Sequence, residues 1–134
     1  MLVESRPGAA GALNSSGIPA ISVIIPVRNG SQTLEWCLRA LQKSQGVAWE
    51  CIVVDDGSTD DSMAIAERWG AQVIVGDGQN YSPARARNVG AAEAHAPLLC
   101  FLDADVTARE DTLAAFVRLF EMNEGLAAAF GSYD

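Results

Sequence analysis

The chain has 134 residues, 49% of them hydrophobic and 19% charged, a globular rather than a disordered composition that suits one domain with a sizeable core. Its formal net charge of −8 argues against a nucleic-acid-binding surface, which needs a basic patch. An acidic chain can still take a phosphorylated ligand if a cation or a few placed arginines offset the repulsion.

Residues 1–19 are rich in Gly, Ala, Ser and Pro and lack the regions of a signal peptide, so a flexible leader is expected there. The run AISVIIPV (20–27) is apolar and β-branched, a strand buried on both faces. The period then changes. Leu34, Cys37, Leu38 and Leu41 repeat as one face of a helix over 30–46, with Ser31 or Thr33 as a cap at its start. A second strand is expected in WECIVVDD (49–56). It leads into a turn and helix over 57–70, with Ser58 or Thr59 as N-cap and Asp60 and Asp61 at the positive end of the dipole. AQVIVG (71–76) reads as a third strand, the Ala-rich 83–96 as a helix opened by Pro83, and PLLCFLD (97–103) as a fourth strand. Leu113, Phe116, Val117 and Phe120 mark another helix face, and 125–134 a fifth strand. Strand and helix thus alternate, which predicts an α/β, Rossmann-like, mostly parallel sheet with helices on both faces. The final strand reaches the last residue, so the domain is expected to be truncated there.

Cys37, Cys51 and Cys100 lie in apolar stretches without CxxC spacing and read as reduced, buried thiols of a cytoplasmic domain. His95, the single histidine, reads as a local cap or surface residue, which leaves a nucleophilic Ser or Cys site without its usual base. No apolar run approaches the roughly 18 residues that span a membrane.

In an open α/β sheet, ligands sit at the carboxyl ends of the strands. The residues there are Pro26, Val27, Arg28 and Asn29, then Asp55 and Asp56, then Asp103 and Asp105. Acids gathered on one edge repel unless a cation bridges them, and carboxylate oxygens suit Mg²⁺ or Mn²⁺. Each motif also has a plain structural reading. Asp55-Asp56-Gly57-Ser58 can be a turn into a capped helix, Asp103-Ala104-Asp105 a surface loop, and Arg85-x-Arg87 a solvated helix face. Two arginines early in a helix oppose its dipole, however, and make more sense facing an anion such as a diphosphate. Neither GxGxxG after the first strand nor GxxxxGK[ST] occurs.

Taken together, SVIIPVRNGSQTLEWCLRAL, ECIVVDDGSTDDS and ARARNVGAAEAHAPLLCFLDADV resemble, in order and spacing, the successive blocks of a family 2 glycosyltransferase with the GT-A fold. The resemblance covers 20–134 and implies the nucleotide-sugar-binding part of such a domain. It implies a nucleotide-diphosphate sugar as donor, a UDP-sugar by preference, and Mg²⁺ or Mn²⁺ as cofactor. By the same resemblance Pro26 and Val27 would border the base, with Asn29 in the same set. Asp56 would hydrogen-bond the base with Asp55 beside it, and Arg87 would lie near the phosphates. Asp103 would approach the ribose, and Asp105, with Asp103, would hold the metal. Transfer would be inverting. By the resemblance its carboxylate base, an Asp in an ED-like motif, and a QxxRW acceptor motif follow the fifth strand, where this sequence carries neither, so the base is expected beyond residue 134 and the acceptor is unassigned. Arg28-Asn29-Gly30 also stands where aromatic-Asn-Glu is commoner. The alternative is a non-catalytic nucleotide-sugar-binding module or half of a split enzyme, completed by a partner chain or a further segment. The parent protein is expected in the cytoplasm or at the cytoplasmic face of a membrane.

Overall fold

The structure, a computed structural model, describes residues 1–6, 17–77 and 82–132. In chain order the elements are β1 (Leu2–Ser5), β2 (Ile21–Val27), α1 (Ser31–Leu41), β3 (Trp49–Asp55), α2 (Ser62–Arg68), β4 (Gln72–Val75), α3 (Pro83–Glu93), β5 (Leu98–Phe101), α4 (Thr112–Met122) and β6 (Ala128–Phe130). Among the described residues they form one six-stranded sheet in the order β4-β3-β2-β5-β1-β6. The pairs β2–β3, β2–β5 and β3–β4 are parallel, as the alternation of strand and helix predicts.

The two faces of the sheet follow from the alternation of side chains along each strand. Ile21, Val23, Ile25 and Val27 join Val53, Leu98 and Cys100 under α1, α2 and α4, which contribute Leu34, Cys37, Leu38, Leu41, Ile65, Ala66, Leu113, Phe116, Val117 and Phe120. Ile24, Ile52, Val54 and Leu99 face the other way, onto Ala86 and Ala94. On that face α3 comes very close. A Cβ at Gly90 would overlap Ile24 Cγ2 and press on Val54 Cγ2 at 3.2 Å. Glycine is therefore the residue that lets this helix lie flat on β2 and β3.

One expectation fails at the start of the chain. Residues 2–5, within the expected flexible leader, form a strand antiparallel to both β5 and β6. Val3 is fully buried, and Ser5 Oγ donates to Leu126 O at 3.1 Å. Arg6 then donates to the carbonyls of Ala94 at 2.7 Å and Ala91 at 2.9 Å, capping the end of α3 with a cation. The physical reason is a vacant ladder between β5 and β6, whose backbone groups need partners. Residues 7–16 of the expected leader lie outside the described residues.

The caps also differ from expectation. Neither α1 nor α2 has a side-chain cap from its own N-cap residue, and Ser58 and Thr59 are engaged elsewhere, as described below. Among the described helices, α3 alone is capped by its own N-cap residue, Ser82, whose Oγ accepts from Arg85 N at 3.2 Å.

Cys37, Cys51 and Cys100 are free thiols. Burial pushes Cys37 and Cys100 up to about 12 and raises Cys51 further, so none is a ready nucleophile. His95 sits at the amino edge of the sheet. Its ring Nδ1 lies 3.0 Å from Glu50 Oε2, and its backbone N–H donates to Glu50 Oε1 at 2.7 Å. Ser22 Oγ also donates to Glu50 Oε1 and accepts from Ala96 N at 3.1 Å. Burial pushes the Glu50 carboxyl up, but the bonds from Ser22 and His95 outweigh it and hold the group below its ordinary range. His95 is thus a structural partner at the edge opposite the acids singled out in the sequence.

Candidate active site

Chain segments far apart in sequence meet at the carboxyl edge of the sheet. Pro26, Val27 and Arg28 from the end of β2, Asp56 after β3, Pro83, Ala86 and Arg87 from α3, and Asp103 and Ala104 after β5 line one cavity of about 230 Å³. That is below the roughly 300–1,000 Å³ of a drug-sized ligand pocket, so it has room for only a part of such a ligand. Pro26, Val27, Pro83 and Ala86 give apolar walls, Asp56 an acceptor and Arg87 a cation. Asp56 N donates to Val27 O at 2.9 Å, which ties two walls together at their base. Arg87 Nη2 donates to Asp103 Oδ1 at 3.2 Å, with both side chains partly exposed.

The remaining sequence candidates fall around this cavity rather than in it. Asp55 is 2% exposed. Its Oδ2 accepts from Ser58 N at 3.3 Å, and its Oδ1 has no hydrogen-bond partner among the described residues. It braces the turn behind Asp56. Asn29 adopts a left-handed backbone, φ 49°, which asparagine tolerates better than most residues. Its side chain is spent on the neighbouring loop, since Oδ1 accepts from Thr59 N at 2.7 Å. Asp105 is exposed and lines a second cavity of about 390 Å³ with Met1, Thr107, Arg109, Thr112 and Ser132. It is near enough to Cys37 for its charge to add to the upward push on that thiol.

Sequence reasoning passed over Pro83, Ala86 and Ala104 as lining residues. They lie one or a few positions from Arg87 and Asp103, and a helix that delivers Arg87 to the cavity brings its first turn along.

A divalent cation held by protein alone needs several oxygen ligands close together. Among the described residues no group of three or more His, Cys, Asp or Glu is placed to hold a metal ion. Asp103 and Asp105 nonetheless offer two exposed carboxylates on one turn. A hard cation such as Mg²⁺ commonly takes one or two carboxylates and completes its shell with phosphate oxygens and water. Two carboxylates do not enclose such a cation, which would take its remaining oxygens from a ligand or water.

No helix among the described residues is long and apolar enough to cross a membrane.

The chain is similar to known proteins in sequence and in fold. The 4,4'-diaponeurosporenoate glycosyltransferase of Staphylococcus aureus (strain MRSA252) is 32% identical over 108 residues, covering 77% of this chain and 28% of that protein. The chain thus spans well under half the length of that relative. The crystal structure of S. aureus TarS 1–349 in complex with UDP-GlcNAc superposes with a TM-score of 0.73 at 26% identity, over 78% of this chain and 32% of that one. Glucosyl-3-phosphoglycerate synthase from Mycobacterium tuberculosis, solved with Mn²⁺, UDP and glucosyl-3-phosphoglycerate, shares the fold with a TM-score of 0.67 at 24% identity, over 88% of this chain and 44% of that one. The sheet and its flanking helices are those of the GT-A fold. The sequence model described as "Glycosyl transferase family 2" matches residues 22–133, and this chain belongs to that family.

Proposed function

We propose that this chain is the donor-binding part of a cytoplasmic glycosyltransferase that takes a UDP-sugar with Mg²⁺ or Mn²⁺ and passes the sugar, with inversion, to an acceptor. The observation that carries the proposal is the single cavity in which apolar walls, the Asp56 carboxylate and the Arg87 guanidinium converge. A uracil ring has flat apolar faces and an N–H edge that a carboxylate can accept, and a diphosphate is an anion that a guanidinium can hold. The TarS complex with UDP-GlcNAc supports a nucleotide sugar as the ligand class.

In this reading Pro26, Val27, Pro83 and Ala86 exclude water from the faces of the base, and Asp56 orients it. Arg87 holds the diphosphate side, and Asp103 reaches the ribose. Asp103 and Asp105 would hold the cation. When bound, the cation would offset the charge that grows on the leaving diphosphate as the glycosidic bond breaks. Asp55 keeps the Asp56 turn in shape from behind. The three reduced thiols accord with a reducing compartment.

The test compares two variants by calorimetric titration with UDP. Asp105→Ala is expected to abolish the Mn²⁺-dependent part of the affinity and leave the fold intact. Asp56→Ala is expected to weaken UDP binding with or without Mn²⁺. If Asp56→Ala lowers only thermal stability, its carboxylate serves the turn and not the base.

A further inference from the structure

We propose that Asn29 and Asp60 are positioning residues that clasp the β2–α1 loop to the β3–α2 loop and so set the nucleotide cavity before a ligand arrives. The inference rests on the donor-binding reading. Neither residue lines the cavity. Each joins the two loops from which the Pro26–Arg28 wall and the Asp56 wall emerge.

The clasp is built from both sides. From the first loop, Asn29 N donates to Ser58 Oγ at 2.9 Å and Gly30 N to Ser62 Oγ at 3.1 Å. From the second, Thr59 N donates to Asn29 Oδ1 at 2.7 Å, with Thr59 Oγ1 at 3.3 Å from the same oxygen. Asp60 closes it. Its Oδ2 accepts from Ser31 N at 3.1 Å, while Oδ1 accepts from Ser62 N at 3.0 Å and Ser62 Oγ at 2.6 Å. One carboxylate therefore serves the first turns of α1 and α2, neither of which has a cap of its own.

This accounts for several residues at once. Ser58 and Thr59 are not helix caps, because their polar atoms face Asn29. Asn29 takes a left-handed backbone because that conformation turns its N–H and its Oδ1 toward the same loop. These bonds are exposed or only part-buried, so water replaces them at modest cost in global stability. Their larger effect is on organisation. A cavity whose two walls are already fixed spares the ligand the cost of ordering them.

The test uses hydrogen exchange of the ligand-free chain, followed by titration with UDP and Mn²⁺. The variants are Asp60→Ala, Asp60→Asn and Asn29→Gly, the last of which keeps the left-handed backbone accessible while deleting Oδ1. In Asp60→Ala the amides of Ser31 and Ser62 should exchange faster. The amide of Asp56, bonded to Val27 O and not to Asp60, should do so too. UDP affinity should fall about tenfold, as expected when supporting contacts loosen a site. Asp60→Asn keeps one acceptor but turns an NH2 toward the N–H of either Ser31 or Ser62, so it should recover little of it, and Asn29→Gly should behave like Asp60→Ala. Faster exchange at Ser31 and Ser62 with Asp56 unchanged would reduce the clasp to a local cap and overturn the proposal. The exchange arm needs no nucleotide. A wild-type chain that binds no UDP would sink the donor reading alone, and the Asp56 amide would still decide on the clasp.

Discussion

The two edges of the sheet treat their carboxylates differently. At the amino edge, both oxygens of Glu50 are taken by Ser22 and His95, and the group is held charged by neighbours the chain itself provides. At the carboxyl edge, Asp103 and Asp105 are exposed, and Asp103 meets the partly exposed Arg87. A network closed on itself contributes stability, whereas one left open to solvent is available to a ligand. Helix α3 links the two, since its first turns bring Pro83 and Arg87 to the cavity and its end leads to His95.

That link gives the largest expected effect. Gly90→Ala gains about 1 kcal/mol of helix propensity. It also drives a methyl group into Ile24 and Val54, and overpacking of this kind costs about 1–3 kcal/mol or more. A net loss of melting temperature, with weaker UDP binding, is expected because both ends of α3 shift. A more stable variant would mean that the sheet yields easily beneath the helix.

The amino edge alone is probed by Ser22→Ala. Ser22 is fully buried, and its loss strands the Ala96 N–H, at about 1–3 kcal/mol. Nucleotide affinity should not change. The Glu50 charge has its own signature. Its folded pKa lies below the ordinary value of 4.5, so its contribution is complete above that value and is lost as pH falls through the folded one. Glu50→Gln should therefore lower the melting temperature at neutral pH and match the wild type in acid. A gap that stays constant into acid would place the effect in packing and not in charge.

The smallest stability effect is expected at the carboxyl edge. The Arg87–Asp103 pair is exposed on both sides, 38% and 55%, and such a pair contributes at most about 1 kcal/mol. Arg87→Ala should leave the melting temperature nearly unchanged while UDP binding drops. A large stability loss with intact binding would reverse the contrast between the two edges.

Much of this fold was legible in the sequence because its signals are local. The β-branched run 20–27 and the repeat of Leu34, Cys37, Leu38 and Leu41 identify their elements unaided. β1 was not legible. LVES is four residues ahead of a Gly- and Ser-rich stretch, and its partners lie near 98–101 and 128–130. The pairing is decided by the slot and not by the segment. The same limit applies at the site. Residues at strand ends could be named from the alternation of elements, and Pro26, Val27, Asp56, Arg87 and Asp103 do meet. Which side chain faces a ligand and which faces a neighbouring loop was not readable. Asn29 and Ser58 look like ligand and cap until the two loops are seen together.

The most direct measurement is calorimetric titration of the purified chain with UDP in the presence of Mn²⁺ and again with EDTA, alongside a circular-dichroism spectrum. The account predicts a folded chain that binds UDP, with affinity that falls when EDTA removes the cation. A folded chain that binds UDP neither with Mn²⁺ nor without it would contradict the reading of the carboxyl edge as a nucleotide-sugar site.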